Sequence, residues 1–293
     1  MKGTDCQRIG LIAGWGQFPI IVARELISSG KEVYCCGIRG HASPELQDIC
    51  TDFRWFGMGK MGAQCRFLQR HRVHEATMAG KIFKTLLFRR FHILRHLPDM
   101  ACWKHFYPIL ITRKKDRKDD TLLLTVTQLF QSGDVQLAPA TKFAPELLVN
   151  EGILTQRKPN AVQQADIKFA WNLAKEMGRL DVGQSVAVKG KAVLAIEAVE
   201  GTDACIKRAG ELAQSGNFTV VKVAKPQQDM RFDVPTIGVS TIETMHQAGA
   251  RVLAVEADKT IVLDRESVVA CANKYRISIV AIEKDRMAEL LVA

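Results

Sequence analysis

Apolar positions bunch into short runs, separated by glycines and by stretches of helical periodicity, from the start of the chain. Arg8–Ala13 (RIGLIA) is an uninterrupted apolar run of strand length, which predicts a strand covered on both faces. Gly14-Trp15-Gly16 predicts a turn, and Pro19 suits the first turn of a helix running through IIVARELISSG to Gly30. Residues 31–38 and 52–56 predict two further strands, 60–70 a helix, and 75–79 a strand closing on Gly80. Strands and helices alternating at this spacing predict a parallel, three-layer α/β unit.

The pattern then changes. Residues 84–107 mix large apolar residues with Arg and His at helical spacing, broken at Pro98, and 119–132 predict another helix with Asp119 and Asp120 in its favourable first turn. Residues 136–160 hold three prolines and weak periodicity, which predicts a linker. A second α/β unit follows: a helix over 162–177, a hairpin of 184–188 and 192–199 around Lys189-Gly190-Lys191, a helix capped by Thr202, and a strand over 218–224. A polar loop leads to a helix capped by Thr241. Strands over 252–256 and 260–263, a helix from Arg265 and a strand over 277–282 complete the unit. The expected architecture is two α/β domains around a cleft: residues 1–145, Rossmann-like and basic with a Gly-rich turn, and residues 146–293, catalytic, with a mixed sheet.

Composition adds a direction. The formal charge of +10 splits into +9 for residues 1–150 and +1 for the rest, and six of the seven histidines lie in the first half. A basic half predicts an anionic partner: nucleic acid, lipid headgroups or a phosphorylated ligand. No run reaches the roughly 18 apolar residues of a membrane span, and the opening residues carry no apolar signal core, so a cytoplasmic location is expected. Eight cysteines without a CxxC predict free thiols rather than a zinc or disulfide framework.

Three groups of residues suggest chemistry. The turn from Gly10 to Gly16 lies at a strand-to-helix crossover, where backbone N–H groups can meet an anion, although it matches neither GxGxxG nor a Walker loop. Between Lys225 and Gly238 lie Gln227, Gln228, Asp229, Arg231 and Asp233; extended backbone around Pro226 and Pro235 would put Asp229, Arg231 and Asp233 on one face. Two carboxylates around a guanidinium suit a Mg²⁺–phosphate site, with acids for the hard cation and Arg and Lys for phosphate. The same residues also suit a solvated loop with a surface ion pair. Glu197, Glu200, Thr202 and Asp203 form a further acidic group. Helix capping accounts for Thr202 and Asp203 but not for Glu197, a charge at the end of an apolar strand. His71 with His74, and His92 with His96, have helical ligand spacing but no evident third ligand.

Together these pieces resemble the LpxI family of UDP-2,3-diacylglucosamine pyrophosphatases of lipid A synthesis. The resemblance covers nearly the whole chain. It rests on GLIAGWGQFPIIVA at 10–23, MAGK at 78–81, KEMGRLDVGQ at 175–184, AIEAVEGTD at 195–203 and VAKPQQDMRFDVPTIG at 223–238. It implies Mg²⁺-assisted hydrolysis of the diphosphate of UDP-2,3-diacylglucosamine to UMP and 2,3-diacylglucosamine 1-phosphate, with Asp233 as the catalytic aspartate. Joined to the chemistry above, it gives an expected site. Asp233, Asp229, Asp203, Glu200 and Glu197 would hold Mg²⁺, and Lys225, Gln227, Arg231, Thr202, Gly14, Gly16, Gly80 and Lys81 would meet the substrate. Residues 84–107 would face acyl chains or the inner-membrane surface, giving a peripheral cytoplasmic protein; a homodimer is left open. Two other readings weigh less. An NAD-binding module predicts an acid at the end of the second strand, where VYCCGIRG has none. A nucleic-acid binder predicts interleaved cations and aromatics rather than clustered carboxylates, so no nucleic-acid partner is expected.

Overall fold

The computed structural model describes residues 7–82, 97–111, 119–231 and 234–283. The chain divides into two units, Met1–Pro145 and Glu146–Ala293.

In the first unit β1 (Arg8–Ala13), α1 (Phe18–Ser28), β2 (Glu32–Ile38), α2 (Leu46–Ile49), β3 (Asp52–Phe56), α3 (Met61–Arg70) and β4 (Glu75–Ala79) follow one another. After them come α4 (Met100–Ile111), α5 (Asp119–Gln131), β5 (Gln136–Leu137) and α6 (Ala140–Phe143). The strands form one sheet in the order β3-β2-β1-β4-β5, and every pairing is parallel. Ile9, Leu11, Ile12, Val33, Cys35 and Cys36 are buried, as a parallel sheet covered on both faces requires. The chain leaves β1 toward β2 and β3 and returns to the other side of β1 as β4. The β1–β4 boundary is therefore the switch point of this sheet, the place where open α/β sheets hold ligands.

The second unit runs β6 (Gly152–Ile153), α7 (Ala161–Arg179), β7 (Ser185–Lys189), β8 (Ala192–Ile196), α8 (Thr202–Leu212), β9 (Phe218–Lys222) and β10 (Thr236–Ile237). It closes with α9 (Val239–Ala248), β11 (Ala250–Glu256), β12 (Ile261–Val262), α10 (Arg265–Lys274) and β13 (Ser278–Ile282). Its main sheet is mixed, in the order β6-β13-β11-β9-β7-β8; β10 and β12 pair separately. The period-2 alternation of strand side chains builds two cores. Ala187, Val220, Leu253, Val255 and Ile279 face one side with Ile206, Ile242 and Val268. Val186, Val188, Val221, Val252 and Ala254 face the other, against Ile167, Ala170, Trp171 and Ala174 of α7. The expected pairing of a parallel sheet with a mixed one is what is observed.

Local expectations need three corrections. Residues 136–160 are not a bare linker, since β5, α6, a 3-10 turn (Pro145–Leu147) and β6 lie within them. Thr202 does not cap α8: Gly201 occupies the cap position at φ +83°, with no side-chain cap bond. Thr241 does not cap α9 either, since Gly238 holds that position and Thr241 lies buried within the helix. The helix α7, by contrast, has a reciprocal cap in which Asn160 accepts from the Gln163 backbone N–H and Gln163 accepts from that of Asn160. All seven described cysteines are free thiols, six of them buried.

Candidate functional site

Three motifs of the second unit meet at one edge of its sheet. β9 runs parallel to β11 and antiparallel to β7, with Lys222 opposite Ser185, while Ile196 of β8 lies opposite Val186. The ends of β8, β9 and β11 and the start of β7 therefore share the carboxyl edge, where ligands of open α/β sheets bind. Backbone bonds join the pieces: Val223 N donates to Gln184 O (3.0 Å) and Glu197 N to Ser185 O (2.9 Å).

The stretch 175–184 positions the loop that follows β9. Lys175 Nζ donates to Ala224 O (2.9 Å) and pairs with Glu256 Oε2 (2.5 Å), and the same carboxylate oxygen accepts from Ala224 N (2.9 Å). Glu256 is buried, a position a carboxylate occupies only when paired and hydrogen-bonded. Gly178 lets Lys225 Cα and Pro226 Cδ come within 3.2 and 3.3 Å of where a Cβ would stand. Lys225 Nζ then pairs with Asp181 Oδ1 at 2.7 Å.

The loop itself departs from the extended form expected of it. It turns back, with Gln228 N donating to Lys225 O (3.1 Å) and Lys225 N to Gln228 Oε1 (2.8 Å). Asp229 accepts from the Arg231 backbone N–H (3.0 Å) and from its guanidinium at 2.9, 3.1 and 2.5 Å. That guanidinium holds the Asp229 carboxyl below its ordinary value, and the carboxylate in turn raises Arg231. Gln227 is exposed. Asp233 lies outside the described residues.

The end of β8 carries the acidic group. Glu197 is only 7% exposed. Its Oε1 accepts from the Thr202 hydroxyl (2.9 Å), which lies 3.4 Å from Ser185 Oγ, and its Oε2 is buried without a hydrogen-bond partner. Gly183 packs on the Glu197 backbone so closely that a Cβ would stand 2.0 Å from the Glu197 carbonyl oxygen. Glu200 bends back on the loop, accepting from Ala198 N (3.2 Å) and pairing with Arg208 (2.5 Å). Its own backbone N–H and then Arg208 hold its carboxyl below the ordinary value. Asp203 is exposed in the first turn of α8. Among the described residues no three His, Cys, Asp or Glu side chains gather as a metal centre; Glu197, Glu200 and Asp229 each have protein partners of their own.

In the first unit the two glycine motifs are stitched together at the switch point. Gly14 N donates to Ala79 O (2.8 Å), Trp15 N to Lys81 O (2.8 Å) and Lys81 N to Trp15 O (2.9 Å). A Cβ on Gly14 would stand 2.7 Å from Lys81 O, and one on Gly80, at φ +91°, 2.8 Å from the Gly14 carbonyl carbon. The N–H groups of Gly14 and Trp15 are thus spent within the protein. Gly16, at φ +108° with open space around it, and the exposed Lys81 are what this crossover offers a ligand. His71 Nε2 pairs with Asp52 Oδ2 (3.1 Å) and its ring stacks on Tyr34, so it is occupied structurally; His92 and His96 lie outside the described residues.

Sequence reasoning singled out neither Ser185 nor Glu256. Both sit at strand ends whose role is set by partners far along the chain, Thr202 and Lys175, and no local signal marks them. Lys175 and Asp181 lay inside a recognised motif without a role; their geometry supplies one.

Comparisons with known proteins agree over most of the chain. The family model described as the LpxI N-terminal domain matches residues 8–147, and that described as the LpxI C-terminal domain matches residues 150–280. A protein of Caulobacter vibrioides, named UDP-2,3-diacylglucosamine pyrophosphatase LpxI, is 30% identical over 289 residues, spanning 94% of this chain and 98% of the relative. A solved structure titled CobK precorrin-6A reductase aligns over 94% of this chain and 88% of that one, at 10% identity and a TM-score of 0.28, too low a likeness to argue from.

Proposed function

The chain belongs to the LpxI family, and from that premise we propose that it hydrolyses the diphosphate of UDP-2,3-diacylglucosamine, with Mg²⁺, to UMP and 2,3-diacylglucosamine 1-phosphate. The observation that carries this reading is a pair of unmet needs side by side. The helix α8 begins without a side-chain cap, leaving N–H groups of its first turn to a ligand. Beside it the buried Oε2 of Glu197 has no donor. An anion alone would satisfy the helix and repel the carboxylate; a cation alone would do the reverse. A Mg²⁺-bound diphosphate meets both.

A hard cation fits here in that Glu197 offers a carboxylate oxygen not used by the protein; the carboxylate of Asp233, the residue the family resemblance implies is catalytic, would be a further ligand. Bound there, Mg²⁺ would withdraw charge from the diphosphate oxygens and ease attack by water. The N–H groups of Thr202 and Asp203 donate to phosphate oxygens, and the Thr202 hydroxyl fixes the Glu197 carboxylate. Arg231 and Lys225 lend positive charge, moderated by their bonds to Asp229 and Asp181. Asp233 would hold the metal or orient the attacking water. Water adds to one phosphorus as its bond to the bridging oxygen breaks, and that oxygen leaves with the other phosphate. The diacylated substrate is drawn from the inner-membrane surface by a cytoplasmic protein.

The test is to supply purified protein with UDP-2,3-diacylglucosamine and Mg²⁺ in ¹⁸O-labelled water and weigh the products. UMP and a lipid monophosphate are expected, with the label in one of the two, which identifies the attacked phosphorus. Turnover of an unacylated UDP-sugar without turnover of the lipid would overturn the lipid assignment, and no UMP from either would overturn the hydrolase.

A further inference from the structure

The positive charge is far more local than a division into halves suggests. Residues 81–118 carry eleven Lys and Arg against two Asp and Glu, which is +9 of the chain's +10. Within that stretch, one face of α4 is fixed to its unit. Asp99 accepts from Ala63 N of α3 (2.9 Å) and from Cys102 N of α4 (3.0 Å), and Asp99 O accepts from Trp103 N (2.8 Å). Gly62 lets α3 approach so closely that a Cβ there would stand 2.7 Å from Ala101 Cβ. Cys102 points inward, its thiol pushed up to about 11 by burial.

Among the described residues, the opposite face has no such cover. Met100, Trp103 and Tyr107 fall at i, i+3 and i+7, one stripe of the helix, and are 82%, 48% and 45% exposed; Leu97, just before the helix, is 42% exposed. The Trp103 and Tyr107 rings lie 5.5 Å apart, and Lys104 is exposed beside them.

We propose that this face of α4 docks on an anionic lipid surface. An apolar stripe containing Trp and Tyr matches the bilayer interface, where their rings are half solvated and half buried. The Lys and Arg that the sequence places before and after this helix, within 81–118, match anionic headgroups, whose potential acts within about a Debye length. The rest of the chain is close to neutral, so the net charge that favours an anionic surface belongs to this stretch of sequence. A nucleic acid would use the charge but gain nothing from Met100 and Leu97. The inference stands apart from the hydrolase reading, because vesicle binding and turnover are read separately.

The experiment is sedimentation of the full chain with phosphatidylglycerol-containing vesicles and with pure phosphatidylcholine vesicles, at low and high salt. Binding is expected to the anionic vesicles only, at least tenfold weaker in high salt, and at least tenfold weaker for Met100→Glu combined with Trp103→Glu. Hydrolysis of detergent-dispersed substrate by that variant is expected to match the wild type. Should the double variant fail to fold, tryptophan quenching by acyl-brominated phosphatidylglycerol reads the same contact in the wild type, and Trp103→Phe removes most of it. Four results would each overturn the proposal: no anionic-vesicle binding, binding indifferent to salt and to both substitutions, a wild-type dimer that the double variant dissolves, or equal loss of turnover on dispersed substrate. Vesicle binding without any turnover would leave docking standing and remove the hydrolase reading.

Discussion

Glu197 is the residue at which physical argument reaches furthest. A carboxylate at the end of an apolar strand was legible in the sequence as an anomaly, because burying a charge is costly unless it is paired. What paired it was not legible: the Thr202 hydroxyl on one oxygen and nothing on the other. Thr202 itself misled, because a Thr before a helical pattern reads as a cap, whereas Gly201 takes that position with a positive φ open to glycine. Glu197→Gln keeps the shape and an acceptor for Thr202 but removes the charge. The Mg²⁺ concentration giving half-maximal UMP release should rise at least tenfold, and the melting temperature should hold or rise, since no charge is then left buried without a partner. An unchanged Mg²⁺ requirement in a titration of both proteins would remove Glu197 from the metal site.

At the scale of elements, the apolar runs located nearly every long strand, because a strand covered on both faces must be apolar throughout. The two-residue strands β5, β6 and β10 carry no such signal and long-range partners alone create them, whereas β12 falls inside the strand expected over 260–263. Prolines 139, 145 and 159 read as a linker, yet Pro139 caps α6, Pro145 opens a 3-10 turn and Pro159 precedes the Asn160 cap. Each fixes the start of an element rather than freeing the chain. The tightest junction is between Gly183, just before β7, and the end of β8. Gly183→Ala would force a methyl to within 2.0 Å of the Glu197 carbonyl oxygen, and relieving it must separate the two strand ends. A destabilisation of about 3 kcal/mol or more is expected from urea unfolding. A variant within about 0.5 kcal/mol of the wild type would show that the approach is easily relaxed.

For the molecule as a whole, net charge and chemistry lie in different places. Four cations around the candidate site are paired with carboxylates: Lys175 with Glu256, Lys225 with Asp181, Arg231 with Asp229 and Arg208 with Glu200. Nearly equal numbers of acids and bases leave the unit close to neutral, while these ion pairs shape the candidate site. The excess positive charge of the first half falls in the sequence 81–118, the stretch that contains the exposed apolar face of α4. Composition could point to an anionic partner but not to the diphosphate, because a site that neutralises its own cations adds nothing to a charge sum. Fold class and the motifs were readable in one dimension; their convergence on one sheet edge depends on strand order, which is not. The central claim is that the carboxylates at this edge would hold Mg²⁺ and that the chain hydrolyses the UDP-lipid there. The most direct measurement of it is the rate of UMP release from UDP-2,3-diacylglucosamine at saturating Mg²⁺ by the wild type and by Asp233→Asn. A fall of more than about a hundredfold is predicted, the loss of several kcal/mol of transition-state stabilisation; a rate within about tenfold of the wild type would contradict the account.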